Sequence, residues 1–230
     1  MNGLDQMVYV IDDDLCMREA IQDLLSSCGF RATLFGSAVE YIGCEKFDVP
    51  SCLILDIELP DINGLDLQSQ LAEAQHPPIV FITGHGDIPS SVRAMKAGAI
   101  DFLPKPFSRE QILTAINAAF EHDRRRRAVA HDLHRLGGRY LSLTPREREV
   151  LPLIVSGLLN KEAAAQLGIS LVTLQIHRGN VMRKMVAGSL SDLVRMSTKL
   201  GIPLQEQRAF EAEATIAERT RQCEGGLTGK

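Results

Sequence analysis

The sequence predicts an α/β domain on a doubly wound, five-stranded parallel sheet, followed by a small all-α domain of four helices. Over residues 1–120, short runs rich in β-branched and aromatic residues alternate with amphipathic stretches, as in a parallel sheet with helices on both faces. Beyond Leu141 the spacing of apolar residues is helical throughout. Charge divides the chain similarly. Residues 1–120 hold 17 acidic and 7 basic side chains (−10), whereas residues 121–230 hold 12 and 18 (+6), which gives the net −4.

The first half yields five strands and five helices in alternation. The predicted strands are Met7–Ile11, Ala32–Phe35, Cys52–Leu55, Ile79–Ile82 and Ile100–Leu103. The predicted helices are Met17–Cys28, Ala38–Cys44, Leu65–Ala74, Pro89–Ala97 and Arg109–Phe120. Three strands are nearly continuous in apolar residues, as expected where a sheet is buried on both faces. Capping-box spacing, which marks helix starts, occurs at Ser37–Glu40, Ser108–Gln111 and Thr144–Glu147.

The remaining chain divides into three segments. The pattern of residues 123–139 predicts a charged helical linker. In it, Arg124–Arg127 are expected to form a solvated face, and Gly137–Gly138 are expected to form a flexible break. Residues 140–200 predict the four-helix domain, and residues 201–230 a polar C-terminal extension that begins with a short helix.

Within the helical domain, two short helices are joined by a glycine turn. Asn160 is predicted to cap a helix over Lys161–Leu167, Gly168 to end it, and Ser170 to cap a second helix that reaches about Met185. Two helices in this arrangement form a helix-turn-helix unit, whose second helix enters the major groove of DNA. The predicted core stripe of that helix is Leu174, Val181 and Met185.

The composition excludes several classes of protein. With 45% hydrophobic and 23% charged residues, the chain is not a disordered chain, a collagen-like fibre or a disulfide scaffold. The five cysteines are odd in number and lack metal-ligand spacing, which fits a reducing compartment. No apolar run approaches the length of a membrane span, and Met1–Asp5 opens no signal peptide. We therefore expect a cytoplasmic protein with no membrane partner.

Residues suited to phosphoryl transfer follow four of the predicted strands. Asp12 and Asp13 follow the first strand, Asp56 the third, Thr83 the fourth, and the fifth leads to Lys105. In doubly wound sheets, ligands bind at these carboxyl ends. Clustered carboxylates favour a hard dication such as Mg²⁺, beside which Asp56 could attack a phosphorus atom. A single acid at a strand end is an ordinary loop start, but the set on successive strands predicts a phosphoryl-transfer site.

Motifs around these residues resemble the receiver domains of two-component response regulators, and the FixJ subgroup in particular. They are Val8–Asp13, Leu53–Leu59, Phe81–Asp87 and Phe102–Phe107. The resemblance covers about residues 6–122 and implies a flavodoxin-like receiver domain over residues 1–122.

That resemblance also implies a role for each residue of the pocket. Asp56 would be the phosphoacceptor. Asp13, Asp56 and the backbone carbonyl of Glu58 would bind Mg²⁺, with Asp12 helping through water. Thr83 and Phe102 would form the switch pair, Lys105 would contact the phosphoryl group, and the Lys105–Pro106 bond would be cis.

The second helix of the helix-turn-helix unit displays residue types that contact DNA bases and phosphates. They are Thr173, Gln175, Ile176, Arg178, Gly179, Asn180, Arg183 and Lys184. The surrounding motifs resemble the LuxR-type DNA-binding domain from about Leu141 to Met196. These motifs are Leu143–Leu151, Gly157–Leu158, Asn160–Glu162, Leu167–Ser170 and His177–Arg178.

The LuxR-type resemblance implies a domain that binds DNA as a dimer through its last helix, Ser189–Leu200, with Gln175, Ile176 and Gly179 facing the bases. Three positions depart from the family pattern. Gln175 stands where Lys is commonest, Gly179 has no side chain, and Gly188 replaces a frequent basic residue. We therefore expect modest affinity and leave the target sequence open.

Together the two resemblances imply a transcription factor and not an enzyme. A sensor histidine kinase would phosphorylate Asp56, which would control homodimerisation and binding to double-stranded promoter DNA; RNA polymerase is a further partner that such a regulator allows. One alternative is a DNA-binding regulator whose receiver is a phosphorylation-independent dimerisation module. Another is a phosphatase of the haloacid dehalogenase type. Asp12–Leu15 contains the Asp-x-Asp spacing of that class but not the Thr close behind, and the basic half would then be unexplained.

Overall fold

The computed structural model describes residues 6–72, 76–84 and 88–202. It divides into two compact units, Met1–Val129 and Ala130–Lys230. Four segments named in the sequence analysis lie outside the described residues: Met1–Asp5, the predicted end of a helix at Ala74, residues 85–87 within the Phe81–Asp87 motif, and the extension from residue 203 onward.

The first unit is a five-stranded parallel sheet flanked by helices, as predicted. The strands are β1 (Met7–Ile11), β2 (Arg31–Phe35), β3 (Ser51–Asp56), β4 (Ile79–Thr83) and β5 (Asp101–Pro104). The helices are α1 (Leu15–Ser27), α2 (Ala38–Gly43), α3 (Gly64–Leu71), α4 (Ile88–Lys96) and α5 (Arg109–Leu141). The strand order is β2-β1-β3-β4-β5, so the order of strands reverses between β1 and β3.

Alternation along the strands builds two apolar layers, one on each face of the sheet. Tyr9, Leu53 and Phe81 lie in one layer, and Val10, Ile54 and Ile82 lie in the other. All of these side chains are buried, which explains why the strands have nearly continuous apolar sequences.

Helix α1 begins two residues before the predicted start at Met17. The side chain of Asp14 accepts hydrogen bonds from the backbone N–H groups of Cys16 and Met17. Asp14 is therefore the N-cap, and Leu15 is already helical.

Helix α5 continues without a break through the predicted helical linker. The helical character predicted for residues 123–139 is confirmed, but the predicted flexible break at Gly137–Gly138 is wrong, because the helix continues to Leu141. A glycine costs a helix only about 1 kcal/mol relative to alanine. Here the flanking Leu136 is 5% exposed and Tyr140 packs against the core of the second unit, so burial holds this turn helical.

The second unit contains the predicted helices α6 (Pro145–Val155), α7 (Asn160–Leu167), α8 (Leu171–Met185) and α9 (Leu190–Lys199). The predicted core stripe of α8 is confirmed, since Leu174, Val181 and Met185 are fully buried. Gly168 ends α7 in a left-handed conformation with φ of 63°, which glycine adopts at little cost.

One predicted cap in this unit is wrong. The N-cap of α7 is Leu159 and not Asn160, which is already helical. The carboxylate of Glu162 accepts a hydrogen bond from the backbone N–H of Leu159 at 3.1 Å. The side chain of Asn160 is instead engaged by Arg178 at 2.7 Å.

Within the described residues, no helix combines the length and the apolar character that crossing a membrane would require.

Candidate functional site

Three carboxylates meet at the carboxyl edge of the sheet, where the strand order reverses. Asp12 and Asp13 follow β1, and Asp56 ends the adjacent β3. One oxygen from each of the three lies within 4.8 Å of the others. Asp12 and Asp56 are buried, whereas Asp13 is exposed. The sheet thus assembles the acidic cluster that the sequence predicted, and its all-oxygen donors suit a hard cation.

Lys105 is the cation of this pocket. Its Nζ lies 2.7 Å from Oδ2 of Asp12 and 2.6 Å from Oδ2 of Asp56. Its backbone N–H donates to the carbonyl of Thr83 at 2.7 Å, and its bond to Pro106 is cis, as the receiver resemblance implied. Lys105 is therefore fixed at both ends, with its ammonium between two buried carboxylates.

Burial shifts the pKa values of two groups in the pocket. It raises the pKa of Asp12 even though hydrogen bonds from Lys105 and from the N–H of Asp14 favour the ionised carboxylate. Burial alone would lower the pKa of Lys105, but Asp12 and Asp56 raise it. The ionised form of Asp12 is therefore still disfavoured, even with Lys105 beside it. Further positive charge in the pocket would stabilise that form.

Thr83 and Phe102 lie on neighbouring strands. Thr83 ends β4 and is fully buried. Phe102 is half-buried in β5, where it pairs in register with Phe81, and their ring centroids are 6.4 Å apart. Beyond Thr83, a Cβ added to Gly84 would meet no atom of the described residues within 4 Å, so none of them fills the space beside the pocket at this position.

Glu58 lies in the loop after β3 and is exposed. Its backbone N–H donates to Oδ1 of Asp56 at 3.3 Å. This loop therefore contacts Oδ1 of Asp56, whereas Lys105 contacts Oδ2.

The sequence analysis missed two residues that hold the pocket together. A Cβ on Gly64 would lie 2.4 Å from the carbonyl oxygen of Asp56, so only glycine fits there; the Asn63–Gly64 turn signal was the available clue. Arg18 of α1 donates through Nη1 to the backbone carbonyl of Asp12. No spacing rule pointed to that contact.

A second candidate surface lies on α8. Gln175 and Ile176 are exposed, the latter by 59%, and Gly179 and Arg183 are exposed beside them. The apolar stripe faces inward, so these residues form an outward face about two turns long. This is the placement expected of a helix that reads the major groove.

Other candidate DNA contacts on α8 are engaged within the protein. Nη1 of Arg178 donates to Asn160 at 2.7 Å, and the hydroxyls of Thr173 and Ser170 are 2.8 Å apart at the helix cap. Nζ of Lys184 lies 2.6 Å from the buried Glu147 and also donates to the carbonyl of Ser142 at 3.3 Å. Asn180 is half-buried and accepts a hydrogen bond from Arg183 at 3.3 Å.

Each of the two parts of the chain matches a known family. Residues 8–117 match the response regulator receiver domain, and residues 141–197 match the bacterial regulatory proteins of the luxR family.

Among known proteins, the chain is similar to Nodulation protein W of Bradyrhizobium diazoefficiens, with 49% identity over 85% of this chain and 87% of the relative. It is also similar to the transcriptional regulatory protein FixJ of the same organism, with 41% identity over 85% and 96%.

Among solved structures, that of the response regulator StyR matches with a TM-score of 0.75 and 43% identity, over 85% of this chain and 99% of that one. Full-length FixJ from B. japonicum matches with a TM-score of 0.50 and 38% identity, over 86% and 98%.

Proposed function

The chain belongs to the response regulators that join a receiver domain to a LuxR-type DNA-binding domain, a family of transcription factors, and we propose that phosphorylation of Asp56 by a sensor histidine kinase controls its binding to promoter DNA. The observation that carries this proposal is the pocket in which Asp56 contacts Lys105 and clusters with Asp12 and Asp13.

Mg²⁺ fits the pocket because the cluster offers only oxygen ligands and can accept positive charge. Asp13, Asp56 and the carbonyl of Glu58 would hold the ion, with Asp12 acting through water. When bound, Mg²⁺ would neutralise charge on the transferring phosphoryl group.

In the proposed transfer, a carboxylate oxygen of Asp56 attacks the phosphorus of a phosphohistidine. A P–O bond to Asp56 forms, and the P–N bond breaks as the histidine leaves. Lys105, already against Asp56, would then pair with the phosphoryl oxygens. Gly84 leaves space for the donor.

The new charge would be sensed by Thr83 and passed to Phe102 in the neighbouring strand. Phe has no hydroxyl to pair with Thr83, so we expect the Phe102 ring to respond through packing. A few kcal/mol of differential stability between two states is enough for such a switch.

In the output step, two copies would dimerise and place their α8 helices on two half-sites of double-stranded DNA. We propose Gln175, Ile176 and Gly179 as the base-facing positions and Arg183 as a phosphate contact. Thr173, Arg178 and Asn180 would act at the edge of this surface. Lys184, which Glu147 engages, is a further proposed contact at this edge. RNA polymerase remains a proposed partner, and the cytoplasm the proposed location.

For the domains, we propose a receiver at residues 1–122, a linker at 123–139, a DNA-binding domain at 140–200 and an extension at 201–230.

Intact-mass measurement with acetyl phosphate and Mg²⁺ tests the phosphorylation step. The proposal predicts a gain of one phosphoryl group that is absent from Asp56→Asn and from a sample with excess chelator. No mass gain in the natural chain would favour the phosphorylation-independent dimerisation module. Steady turnover of a phosphate ester would favour the phosphatase alternative.

A further inference from the structure

A groove on the second unit has an apolar floor and a cationic rim. It lies between the C-terminal part of α5 and helix α9 and has a volume of about 290 Å³. Leu136 and Met196 supply its apolar side chains, and around them stand four cationic side chains and two carboxylates. We call this feature the α5–α9 groove.

The carboxylates leave part of the positive charge unbalanced. Asp132 pairs with Arg135 at 2.8 Å, and Asp192 pairs with Arg195, whose side chain is still 76% exposed. The other two cations, Arg139 and Lys199, make no ion pair within the described part of the chain; Nη1 of Arg139 donates to the carbonyl of Met185 at 3.2 Å. The groove therefore suits an acidic segment that includes an apolar side chain.

The chain itself supplies such a segment directly after α9. Residues 203–230 follow Ile202, beyond the luxR-family match that ends at residue 197. Between residues 203 and 218 the sequence contains four glutamates against one arginine, and Phe210 lies among them. The four glutamates are Glu206, Glu211, Glu213 and Glu218.

We propose that residues 203–218 dock into the α5–α9 groove of their own chain. Phe210 would cover the floor at Leu136 and Met196, and Glu211 and Glu213 would face the cationic rim. The tether is long enough, because eight residues from Ile202 to Phe210 can extend about 27 Å, and Lys199 is only three residues before Ile202. A short tether also gives an effective concentration in the millimolar range, so a weak contact is sufficient.

Docking has a consequence that rests on the proposed function. If α9 also pairs two copies on DNA, the docked segment and the second copy compete for the same helix. The segment would then restrain dimerisation of the DNA-binding unit. Docking itself can be tested without DNA and without phosphorylation, so it can fail independently of the proposed function.

Photo-crosslinking in the full chain tests the docking. Benzoylphenylalanine replaces Phe210, and a mixture of ¹⁴N- and ¹⁵N-labelled protein separates crosslinks within a chain from those between chains. Docking predicts crosslinks within one chain to Met196 or Leu136. Crosslinks between chains, crosslinks outside the groove, or none at all would overturn it.

Charge reversal then tests what holds the segment. Arg195→Glu with Lys199→Glu should lower the yield at least fivefold, and added Glu211→Lys with Glu213→Lys should restore it. The matched control is Arg125→Glu, an exposed arginine of α5 outside the groove, which should leave the yield unchanged. Circular dichroism confirms that each variant is folded. An unchanged yield in the first double variant, or no recovery in the second, contradicts the proposal.

Discussion

Nζ of Lys184 lies 2.6 Å from Oε2 of Glu147, and this ion pair joins α8 to the first turn of α6. Glu147 is 3% exposed and also accepts a hydrogen bond from the N–H of Thr144 at 2.8 Å. The sequence predicted the capping box but grouped Lys184 with the DNA contacts. This ion pair helps to hold α8, and with it the outward face of that helix, in a fixed orientation relative to α6.

Glu147→Ala should destabilise the second unit by about 2 kcal/mol, because it removes a helix cap and leaves Lys184 without its buried partner. Urea unfolding followed through backbone resonances of α8 measures the loss. Glu149→Ala is the matched control, since Glu149 is exposed and pairs only with the exposed Arg146. Its cost should stay below about 0.5 kcal/mol, and equal costs for both variants would contradict the assignment.

Glu147 should also make the stability of the second unit depend on pH. Burial alone would raise the pKa of Glu147, but hydrogen bonds from Lys184 and from the N–H of Thr144 lower it below its usual value of 4.5. The unfolded state therefore binds a proton at higher pH than the folded state, so this stability is present above the ordinary carboxyl pKa and lost as pH falls through the lowered value. In Glu147→Gln, the fall in stability of the second unit below about pH 4.5 should be smaller. An identical acid profile would exclude Glu147 as its source.

Asp123 should prove essential to the first unit, although sequence analysis placed it at the start of the linker. It is fully buried, accepts a hydrogen bond from the N–H of Ser51 at 2.9 Å, and pairs with Arg126 and Arg127. Asp123→Ala would leave the buried N–H of Ser51 without its acceptor and would remove one partner each from Arg126 and Arg127, which keep their contacts with His76 and Asp48, at a cost of about 3 kcal/mol. Hydrogen exchange of β3 amides measures it, with the exposed Asp132→Ala as control. A cost below about 1 kcal/mol would contradict this role.

Metal binding should depend on Asp13 and not on its neighbour Asp14. Asp13 belongs to the acidic cluster, whereas Asp14 caps α1. Isothermal titration with Mg²⁺ should show at least a tenfold weaker affinity for Asp13→Asn, an estimate based on typical losses at metal sites. Asp14→Asn should bind as the natural chain does. Equal losses in both would indicate diffuse attraction by acidic side chains.

The α8 surface predicts two different DNA phenotypes on a fragment selected from random sequence. Gln175→Ala should cost about 1–3 kcal/mol and relax base preference, whereas Arg183→Ala should weaken binding to all sequences and reduce the salt slope by about 1. Fluorescence anisotropy at several salt concentrations separates these effects. Gln22→Ala, on the exposed side of α1, serves as control. A base preference that survives Gln175→Ala would exclude direct reading by this side chain.

Sequence patterns were sufficient to predict those parts of the structure that depend on local or periodic features. The five strands follow from apolar runs, and the cluster of Asp12, Asp13 and Asp56 follows because carboxyl ends of parallel strands meet at one edge. Two capping boxes, at Ser108–Gln111 and Thr144–Glu147, form as predicted. At Ser37 the hydroxyl caps α2, but Glu40 accepts a hydrogen bond from the N–H of Gly36 and not from that of Ser37.

The failures involve contacts between distant residues. Gly137–Gly138 remain helical because Leu136 is buried and Tyr140 packs, partly buried, against the core. Asp123 is internal because it contacts Ser51, which is 72 positions away. Lys184 and Glu147 are 37 positions apart. No periodicity in one sequence shows which of the cationic side chains of α8, Arg178, Arg183 and Lys184, will find a buried carboxylate as its partner.

The most direct test of the central claim is DNA binding before and after treatment with a phosphodonor, measured on the natural chain and on Asp56→Asn. The account predicts that acetyl phosphate with Mg²⁺ increases dimerisation and affinity for promoter DNA in the natural chain at least tenfold, and leaves Asp56→Asn unchanged. If the two proteins dimerise and bind DNA identically before and after treatment, phosphorylation of Asp56 does not control this regulator.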